Sequence, residues 1–397
     1  MNSVFVKAVP ILETLQEYGF KAYFVGGAVR DMLLHRPIHD IDIATSASPQ
    51  EVVGLFKNVI PVGIEHGTVV VHEKGVSYEV TTFRKETEYE DFRHPSSIEF
   101  VDDLGEDLQR RDFTINALAM TVDGDIIDLY NGIDDLTNRT IRAVGDPAER
   151  FYEDPLRMLR AVRFVSQLNF KLDEPTEQEI RRLASHLSHL SIERIAQEWE
   201  KLMLGSAREK GIELFISTGL YEYVPHFVTY KNGLLSLKEL PIHQLYHVRE
   251  MWALLTYLCQ VPAKMILKAW KQPSLLIKEV EIIQQTLEHL KQNNWDDYQL
   301  FKTGVELAKS IEAVRSILYK ENAAENIENI VKKYNALPIK DKKELSVNGH
   351  DVMKWKNKKA GPWLGKELQM IEQAVIDKKV KNEKNAIKEW VDRCNSQ

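Results

Sequence analysis

The chain has 397 residues, 44% hydrophobic and 28% charged, a composition typical of a globular protein with room for about two to four domains. The net charge of −7 argues weakly against broad nucleic-acid binding. The two cysteines, Cys259 and Cys394, argue against a disulfide framework or a zinc site, and no apolar run is long enough to cross a bilayer. The first twenty residues lack the layout of a secretory signal, so we expect a cytoplasmic protein.

The first predicted element is an amphipathic helix that stops at Gly19. Residues 20–145 then alternate short β-runs with tight turns and helical patterns, one of which begins with Ser48 as its cap and Pro49 in its first turn. The apolar face of the first helix carries Phe5, Ala8, Ile11, Leu12 and Leu15. The β-runs are "AYFVGG", "IDIATS", "GTVVVHEKGVSYEVTTF" and "DGDIIDLYNG". This part of the sequence predicts a mixed α/β domain.

A glycine pair follows the first of these β-runs. In "YFVGGAVRD", Gly26 and Gly27 separate a strand from a short helix, which places free backbone N–H groups and Arg30 where an anion could bind. A glycine pair after a strand is usually only a turn, so its value depends on its neighbours.

Two acids follow about fifteen residues later. Asp40 and Asp42 in "HDIDIA" alternate with Ile41 and Ile43, so on a strand both carboxylates project to one side. Such oxygen ligands suit Mg²⁺ that also holds substrate phosphates, although a solvated strand edge explains the pair equally well. Glu79 in "SYEVTTF" is an acid inside an otherwise apolar, β-branched run, where it could simply face the surface of an amphipathic strand.

After about residue 146 the sequence becomes helical in its periodicity. Apolar residues recur at helical spacing in 155–168, 176–190, 192–204, 208–219, 245–259, 276–292, 298–318, 366–378 and 383–394. Within this half, residues 331–360 carry nine lysines against Asp341, Glu344 and Asp351, with Trp355 and Trp363 nearby. The segment is either a solvated face or a surface for a phosphate backbone.

The stretch "EDPLRMLRAVR" at 153–163 spaces an acid and three arginines by three residues. The side chains are Asp154, Arg157, Arg160 and Arg163. By itself the stretch is an ordinary helix start, with Asp154 as a capping oxygen and Pro155 in the first turn. Leu156, Leu159 and Val162 form a second stripe, predicted to face the core.

Taken in order, these motifs resemble a known family. "GGAVRD" followed by "DIDIATS" resembles the nucleotidyltransferase superfamily to which DNA polymerase β belongs. "EDLQRRDFTINALAM" (106–120), "DLYNGIDDL", "EDPLRMLRAVRF" and "ERIAQEWEKL" are similar, in the family's order, to motifs of class II CCA-adding enzymes, the tRNA nucleotidyltransferases, and of related bacterial poly(A) polymerases. "VNGHDVMKWKNKKAGPWLGK" resembles their C-terminal tail.

The resemblance implies an α+β protein: a small mixed α/β nucleotidyltransferase head followed by an elongated all-helical neck, body and tail. The expected boundaries are 1–145 for the head, 146–205 for the neck, which selects the nucleotide, 206–300 for the body and 301–397 for the tail, which binds tRNA. The sequence does not fix the oligomeric state, and a homodimer is compatible with the resemblance.

The resemblance also implies the reaction. The 3′-hydroxyl of a tRNA lacking part or all of its CCA would attack the α-phosphate of CTP or ATP, and pyrophosphate would leave. Asp40 and Asp42 would hold two Mg²⁺ ions, and Glu79 is the candidate for the third carboxylate that such enzymes commonly supply from a neighbouring strand. Gly27, Arg30 and Arg111 would contact the phosphates, and Asp112 the ribose. Repair of damaged 3′ ends would follow from the same chemistry.

Asp154 and Arg157 are expected to read the base. Cytosine and adenine each present an amino donor beside a ring acceptor, which a carboxylate and a guanidinium one turn apart can complement. Uracil and guanine reverse this pattern and would leave buried polar groups unsatisfied, at about 1–3 kcal/mol each. Arg160 and Arg163 would act on phosphate or primer, or brace the pair.

Several alternatives stay open at this stage. An enzyme that adds only the terminal A, or a poly(A) polymerase, shares the head motifs, whereas the intact polar loop at 84–101 favours CCA addition over addition of CC alone. A catalytically dead RNA-binding relative is disfavoured because Asp40 and Asp42 are both present. A metal-dependent phosphohydrolase domain is not expected, because His350-Asp351 lacks a second helical His/Asp pair.

Overall fold

The computed structural model describes residues 3–89 and 95–394, and for residues 86–89 and 95–97 only the backbone. The chain divides after Thr229 into two compact units. No helix in the described ranges combines the length and apolar character that a membrane span requires. The α+β fold predicted from the sequence is confirmed, since a mixed sheet lies in the head and helices dominate the rest.

Within the described residues, every strand lies in the first unit. They are β1 (Ala22–Val25), β2 (Asp42–Thr45), β3 (Val59–Ile60), β4 (Thr68–Glu73), β5 (Val76–Thr82), β6 (Arg84–Tyr89), β7 (Pro95–Phe100), β8 (Leu118–Met120), β9 (Ile126–Asp128), β10 (Thr140–Ile141) and β11 (Lys171–Leu172). Among the described residues, seven strands form one sheet in the order β3-β4-β5-β2-β1-β8-β9, in which β2 and β5 are parallel and the other neighbours antiparallel.

The helices of the first unit surround this sheet and continue beyond it. They are α1 (Ser3–Val6), α2 (Val9–Glu17), α3 (Gly27–Leu33), α4 (Pro49–Leu55), α5 (Leu104–Gln109), α6 (Gly132–Thr137), α7 (Pro147–Glu153), α8 (Leu156–Leu168), α9 (Glu174–Leu183), α10 (Ile192–Met203) and α11 (Arg208–Ser217). Short 3₁₀ turns occur at Ile64–His66, Thr114–Asn116, Ala184–His189 and Leu220–Tyr223.

The regular secondary structure of the second unit's described residues consists of helices. Its helices are α12 (Lys231–Ser236), α13 (Val248–Leu258), α14 (Ala263–Ala269), α15 (Ser274–His289), α16 (Asp297–Thr303), α17 (Val305–Tyr319), α18 (Ala323–Asn335), α19 (Gly349–Lys356), α20 (Pro362–Ile376) and α21 (Lys384–Cys394). The predicted helix 298–318 is two helices, because Gly304 adopts a φ of +75° between them.

Local signals in the sequence were reliable guides to the head. The five apolar residues predicted to share one helix face are all fully buried, although the chain forms two helices there, with Pro10 in the first turn of α2. Ser48 caps α4 in a capping box with Glu51. Lys74 and Gly75 join β4 to β5 with positive φ at both positions, as a tight hairpin requires.

Two expectations were wrong in detail. The segment 84–101 was predicted as a loop, but β6 and β7 pair there as an antiparallel ladder, while residues 90–94 lie outside the described residues. No apolar alternation marks these strands in the sequence, so periodicity could not reveal them. The part after residue 146 is not all helical either, because β11 pairs in parallel with β10.

Candidate active site

One cavity of about 1250 Å³ lies within the first unit. Its lining comes from the start of α3, the segment before β2, strands β4 and β5, the segment after α5, and helices α8 and α10. The residues predicted as site residues all line it: Gly27, Arg30, Asp40, Asp42, Glu79, Arg111, Asp112, Asp154, Arg157, Arg160 and Arg163. The fold therefore gathers segments that are far apart in sequence, from Gly26 to Lys201, around one space.

The carboxylates lie at the edge of the sheet. β2 begins only at Asp42, so the expectation that Asp40 lies within the strand was wrong, but Ile41 and Ile43 are buried and the alternation of faces holds. Glu79 on β5 is the register partner of Asp42 in the parallel pairing. Neighbouring strands therefore present these two carboxylates on the same face of the sheet.

The electrostatics of this edge favour a bound cation. Burial and the negative charges of Glu79 and Asp40 raise the pKa of Asp42 above its usual range, although Arg111 lowers it. No described residue forms a hydrogen bond or ion pair with the side chains of Asp40, Asp42 or Glu79. Oxygen donors with unbalanced negative charge suit a hard divalent cation. Within the described ranges, however, no three His, Cys, Asp or Glu side chains are close enough together to form a preformed metal site.

Arg111 lies directly over the glycine turn. Gly26 has a φ of +72°, a conformation that favours glycine, and a Cβ there would lie 3.0 Å from Nη1 of Arg111, so a side chain would also have to displace that guanidinium. Nη2 of Arg111 donates to Asp107 at 3.0 Å. Its Nε is buried and has no hydrogen-bond partner among the described residues.

A chain of hydrogen bonds links Arg30 to helix α8. Nη1 of Arg30 donates to Asn116 at 2.6 Å, and the Asn116 amide donates to Oδ1 of Asp112 at 2.9 Å. Oδ2 of Asp112 accepts from Nε of Arg160 at 2.7 Å. Burial disfavours the ionised form, but Arg160 and Asn116 outweigh it and lower the pKa of Asp112 to about 2.

The remaining arginines of α8 are also paired. Arg163 forms a buried ion pair with Glu198 on α10. The guanidinium carbons of Arg163, Arg160 and Arg30 lie 4.1, 5.6 and 5.1 Å from the centre of the Phe164 ring. Three guanidinium groups therefore lie within cation–π distance of a single aromatic ring that lines the cavity.

Asp154 is both a helix cap and a cavity residue. Its Oδ1 accepts from the backbone N–H of Leu156 at 3.0 Å, as the capping interpretation predicted, and its Oδ2 accepts from Arg194 at 2.7 Å. Nη1 of Arg194 is buried without a hydrogen-bond partner in the described structure. The second stripe of α8, formed by Leu156, Leu159 and Val162, is buried as predicted.

Arg157 is anchored to the chain on both sides of the cavity wall. It pairs with Glu153, donates from Nη1 to the carbonyl of Arg150 at 3.1 Å, and donates from Nη2 to the carbonyl of Arg110 at 2.8 Å. The acid and arginine predicted to read a base thus line the same cavity, each already oriented by other residues.

The sequence assigns no individual role to Asp107, Asn116 or Phe164, and Arg194 is marked only by its place within the motif "ERIAQEWEKL". Asn116 and Asp107 lie within the motif stretch 106–120, so their position next to "RRDF" was the available signal. No comparable signal marked Phe164, because an aromatic residue in an apolar helix usually indicates core packing.

Comparisons with known proteins cover the whole chain. The family model of the poly(A) polymerase head domain matches residues 22–142, that of a probable RNA- and SrmB-binding site of polymerase A matches 169–230, and that of a putative domain 2 of tRNA nucleotidyltransferase matches 243–391. A CCA-adding enzyme of Anoxybacillus flavithermus is 47% identical over 396 residues, covering 100% of this chain and 98% of the relative.

Solved structures agree with this. The Bacillus stearothermophilus CCA-adding enzyme in complex with CTP superposes with a TM-score of 0.90 at 42% identity, over 100% of this chain and 98% of that one. A tRNA nucleotidyltransferase complexed with a primer tRNA and an incoming ATP analogue gives 0.63 at 26% identity, over 82% and 98%. This extent of identity confirms the resemblance read from the motifs: the chain belongs to the family of class II CCA-adding enzymes.

Proposed function

We propose that this protein adds the 3′-terminal CCA to tRNA from CTP and ATP, without a nucleic-acid template and with release of pyrophosphate. One observation carries the proposal: a single cavity combines Asp40, Asp42 and Glu79, whose carboxylates form no ion pair with any described residue, a glycine turn under Arg111, and the pair Asp154 and Arg157. The same reaction would rebuild a tRNA end that has lost part of its CCA.

The chemistry is a nucleotidyl transfer. The 3′-oxygen of the tRNA forms a bond to the α-phosphorus of the nucleotide. The bond from that phosphorus to the oxygen that bridges it to the β-phosphorus breaks, and pyrophosphate leaves with the electron pair of that bond. Asp40 and Asp42 would hold divalent cations, and Glu79 would be a third ligand. When bound, Mg²⁺ would favour loss of the hydroxyl proton and offset the charge on the leaving pyrophosphate.

The triphosphate would lie against the glycine turn. Support comes from Gly27, Arg30 and Arg111, all of which line the cavity. Guanidinium groups bind phosphate oxygens with two parallel hydrogen bonds, which fixes position as well as charge.

A ribose contact by Asp112 requires a rearrangement. Its oxygens accept from the backbone of Phe113, from Asn116 and from two nitrogens of Arg160, which uses the acceptor positions of a carboxylate. We therefore expect Arg160 to release Asp112 partly when a ribose hydroxyl binds there. The contacts of Arg163 with Glu198 and Phe164 are those of a bracing residue.

Base choice would rest on Asp154 and Arg157. Arg194 and the Leu156 N–H hold the Asp154 carboxylate, so it offers acceptors to an exocyclic amino group. Arg157 offers donors to a ring nitrogen or carbonyl oxygen. Cytosine and adenine would satisfy both groups. Uracil and guanine would place a carbonyl oxygen against the carboxylate and an N–H group against the guanidinium.

The alternative enzymes of the same family are not favoured, because the relatives with high identity over the whole chain are CCA-adding enzymes. A homodimer and a cytoplasmic location stay predictions from the sequence. The proposed head, neck, body and tail boundaries likewise stay predictions.

Incorporation on truncated tRNA tests the proposal directly. Purified protein with Mg²⁺, CTP and ATP should extend a tRNA lacking CCA by three nucleotides and a tRNA ending in CC by one A. Asp42→Asn should abolish both additions, while Asp123→Asn, at an exposed turn, should not. A long A tail, or failure to add C, would overturn the assignment.

A further inference from the structure

We propose that Asp107 is a positioning residue for nucleotidyl transfer, which acts by fixing the guanidinium of Arg111 over the glycine turn. The inference rests on the proposed function and adds to it a residue that does not line the cavity. The inference concerns the guanidinium that is expected to bind the triphosphate, and not the recognition of the base.

Asp107 is a fully buried acid near the end of α5. Its Oδ1 accepts from Nε and Nη2 of Arg110 at 3.0 and 2.7 Å, and its Oδ2 accepts from Nη2 of Arg111 at 3.0 Å. One carboxylate therefore holds two consecutive arginines, and each of its oxygens serves a different one.

The position this gives to Arg111 is a restrictive one. Nη2 is held by Asp107, Nη1 lies against Gly26, and the buried Nε has no partner among the described residues. Asp42 is near enough for Arg111 to lower its pKa. Asp107 thus holds Arg111 through Nη2, while Nη1 lies at the glycine turn, which also adjoins Oδ2 of Asp42.

The negative charge of Asp107 is needed for this arrangement. Arg110 and Arg111 are adjacent cations that would repel each other in a partly buried site, and one carboxylate neutralises half of their charge. Burial opposes ionisation of Asp107, but the two arginines outweigh it and hold its pKa below the usual range. The group stays ionised, and one net positive charge remains to face the triphosphate.

Removal of the Asp107 charge is therefore expected to lower the activity with CTP and with ATP alike. CTP and ATP share the triphosphate, so displacement of Arg111 should weaken both alike and leave base choice unchanged. A purely structural role would instead lower stability without involving Arg111.

A double-mutant cycle distinguishes a positioning role of Asp107 from a purely structural one. The variants are Asp107→Asn, Arg111→Ala and the double variant, assayed for CTP addition to tRNA lacking CCA and ATP addition to tRNA ending in CC. We expect Asp107→Asn to lower kcat/KM for both by about tenfold or more in the wild-type background, since small misplacements of a catalytic group have effects of this size. In the Arg111→Ala background it should have less than about a twofold effect.

Asp135 provides a matched control. It is a buried acid of the head that pairs with Arg142 and accepts from Thr114, and it does not line the cavity. Asp135→Asn should lose thermal stability like Asp107→Asn but keep kcat/KM within about twofold of wild type.

Three results would overturn the proposal: additive effects in the cycle, unequal losses for CTP and ATP, or an Asp107→Asn activity equal to that of Asp135→Asn. If Asp107→Asn does not fold, Asp107→Glu keeps the charge but moves it by one methylene, and wild-type activity of that variant would also contradict positioning. An inactive wild-type protein would refute the proposed function instead, so the two failures are distinguishable.

Discussion

At the scale of single residues, the cavity is marked by hydrogen-bond donors without acceptors. Arg111 Nε and Arg194 Nη1 both belong to cavity-lining residues and are buried without partners in the described part of the chain. A buried donor left unsatisfied costs about 1–3 kcal/mol, so a protein keeps it only where something else repays the cost. Both arginines use another nitrogen to bind a carboxylate, so each guanidinium is held in a fixed orientation next to the cavity.

Asp154 tests whether capping and base reading can be separated. Asparagine caps helices as well as aspartate does, so Asp154→Asn should keep the start of α8. It replaces one acceptor oxygen by a donor, however, and should raise incorporation of UMP relative to CMP by about tenfold or more, as one reversed hydrogen bond predicts. The measurement is the ratio of kcat/KM for UTP and CTP on tRNA lacking CCA. Unchanged selectivity with reduced stability would mean that Asp154 serves only α8 and Arg194.

At the scale of elements, α8 joins the two halves of the cavity. Arg157 pairs with Glu153 on α7, Arg160 with Asp112 after α5, and Arg163 with Glu198 on α10. Three residues of an α-helix rotate about 300° around its axis, so successive arginines point in different directions. Each of them therefore contacts a different acid. The helix thereby fixes the position of the predicted base-reading residues relative to the head.

The sequence predicted what depends on near neighbours along the chain. The capping role of Asp154, the buried stripe of α8 and the glycine turn follow from spacing and residue type alone. The partners of the arginines do not, because Arg163 and Glu198 are 35 residues apart and Arg160 and Asp112 are 48 apart. Asp107 had no signal of burial either: an acid in a charged stretch usually faces solvent, and only tertiary packing makes it inaccessible.

The pair between Asp112 and Arg160 should make stability depend on pH. The pKa of Asp112 is about 2 in the folded protein against 3.8 ordinarily, so the pair stabilises fully above pH 3.8 and the contribution is lost as pH falls towards 2. This shift corresponds to about 2 kcal/mol. Asp112→Asn cannot titrate, so urea unfolding should show the difference in free energy of unfolding between it and wild type narrowing by about that amount from pH 5.5 to pH 2. A constant difference would contradict the ion pair.

At the scale of the whole molecule, the cavity and the lysine-rich segment belong to different units. The described lining of the cavity lies entirely between Gly26 and Lys201, in the first unit. The lysine-rich segment 331–360 lies in the second, where most of its lysines are exposed. Trp355 and Trp363 pack against the hydrophobic core of that unit, so we expect the exposed lysines, and not the tryptophans, to contact the phosphates of a bound tRNA.

Division of the chain after Thr229 should therefore separate nucleotide binding from tRNA binding. A fragment of residues 1–229 keeps every residue that lines the cavity, so we expect its Kd for CTP with Mg²⁺ to stay within about threefold of that of the full chain. It lacks the exposed lysines, so its affinity for tRNA should fall strongly, and the salt dependence of the remaining binding should flatten. Calorimetry with CTP and filter binding with tRNA at several salt concentrations measure both. A folded fragment that fails to bind CTP would show that the second unit contributes to the nucleotide site.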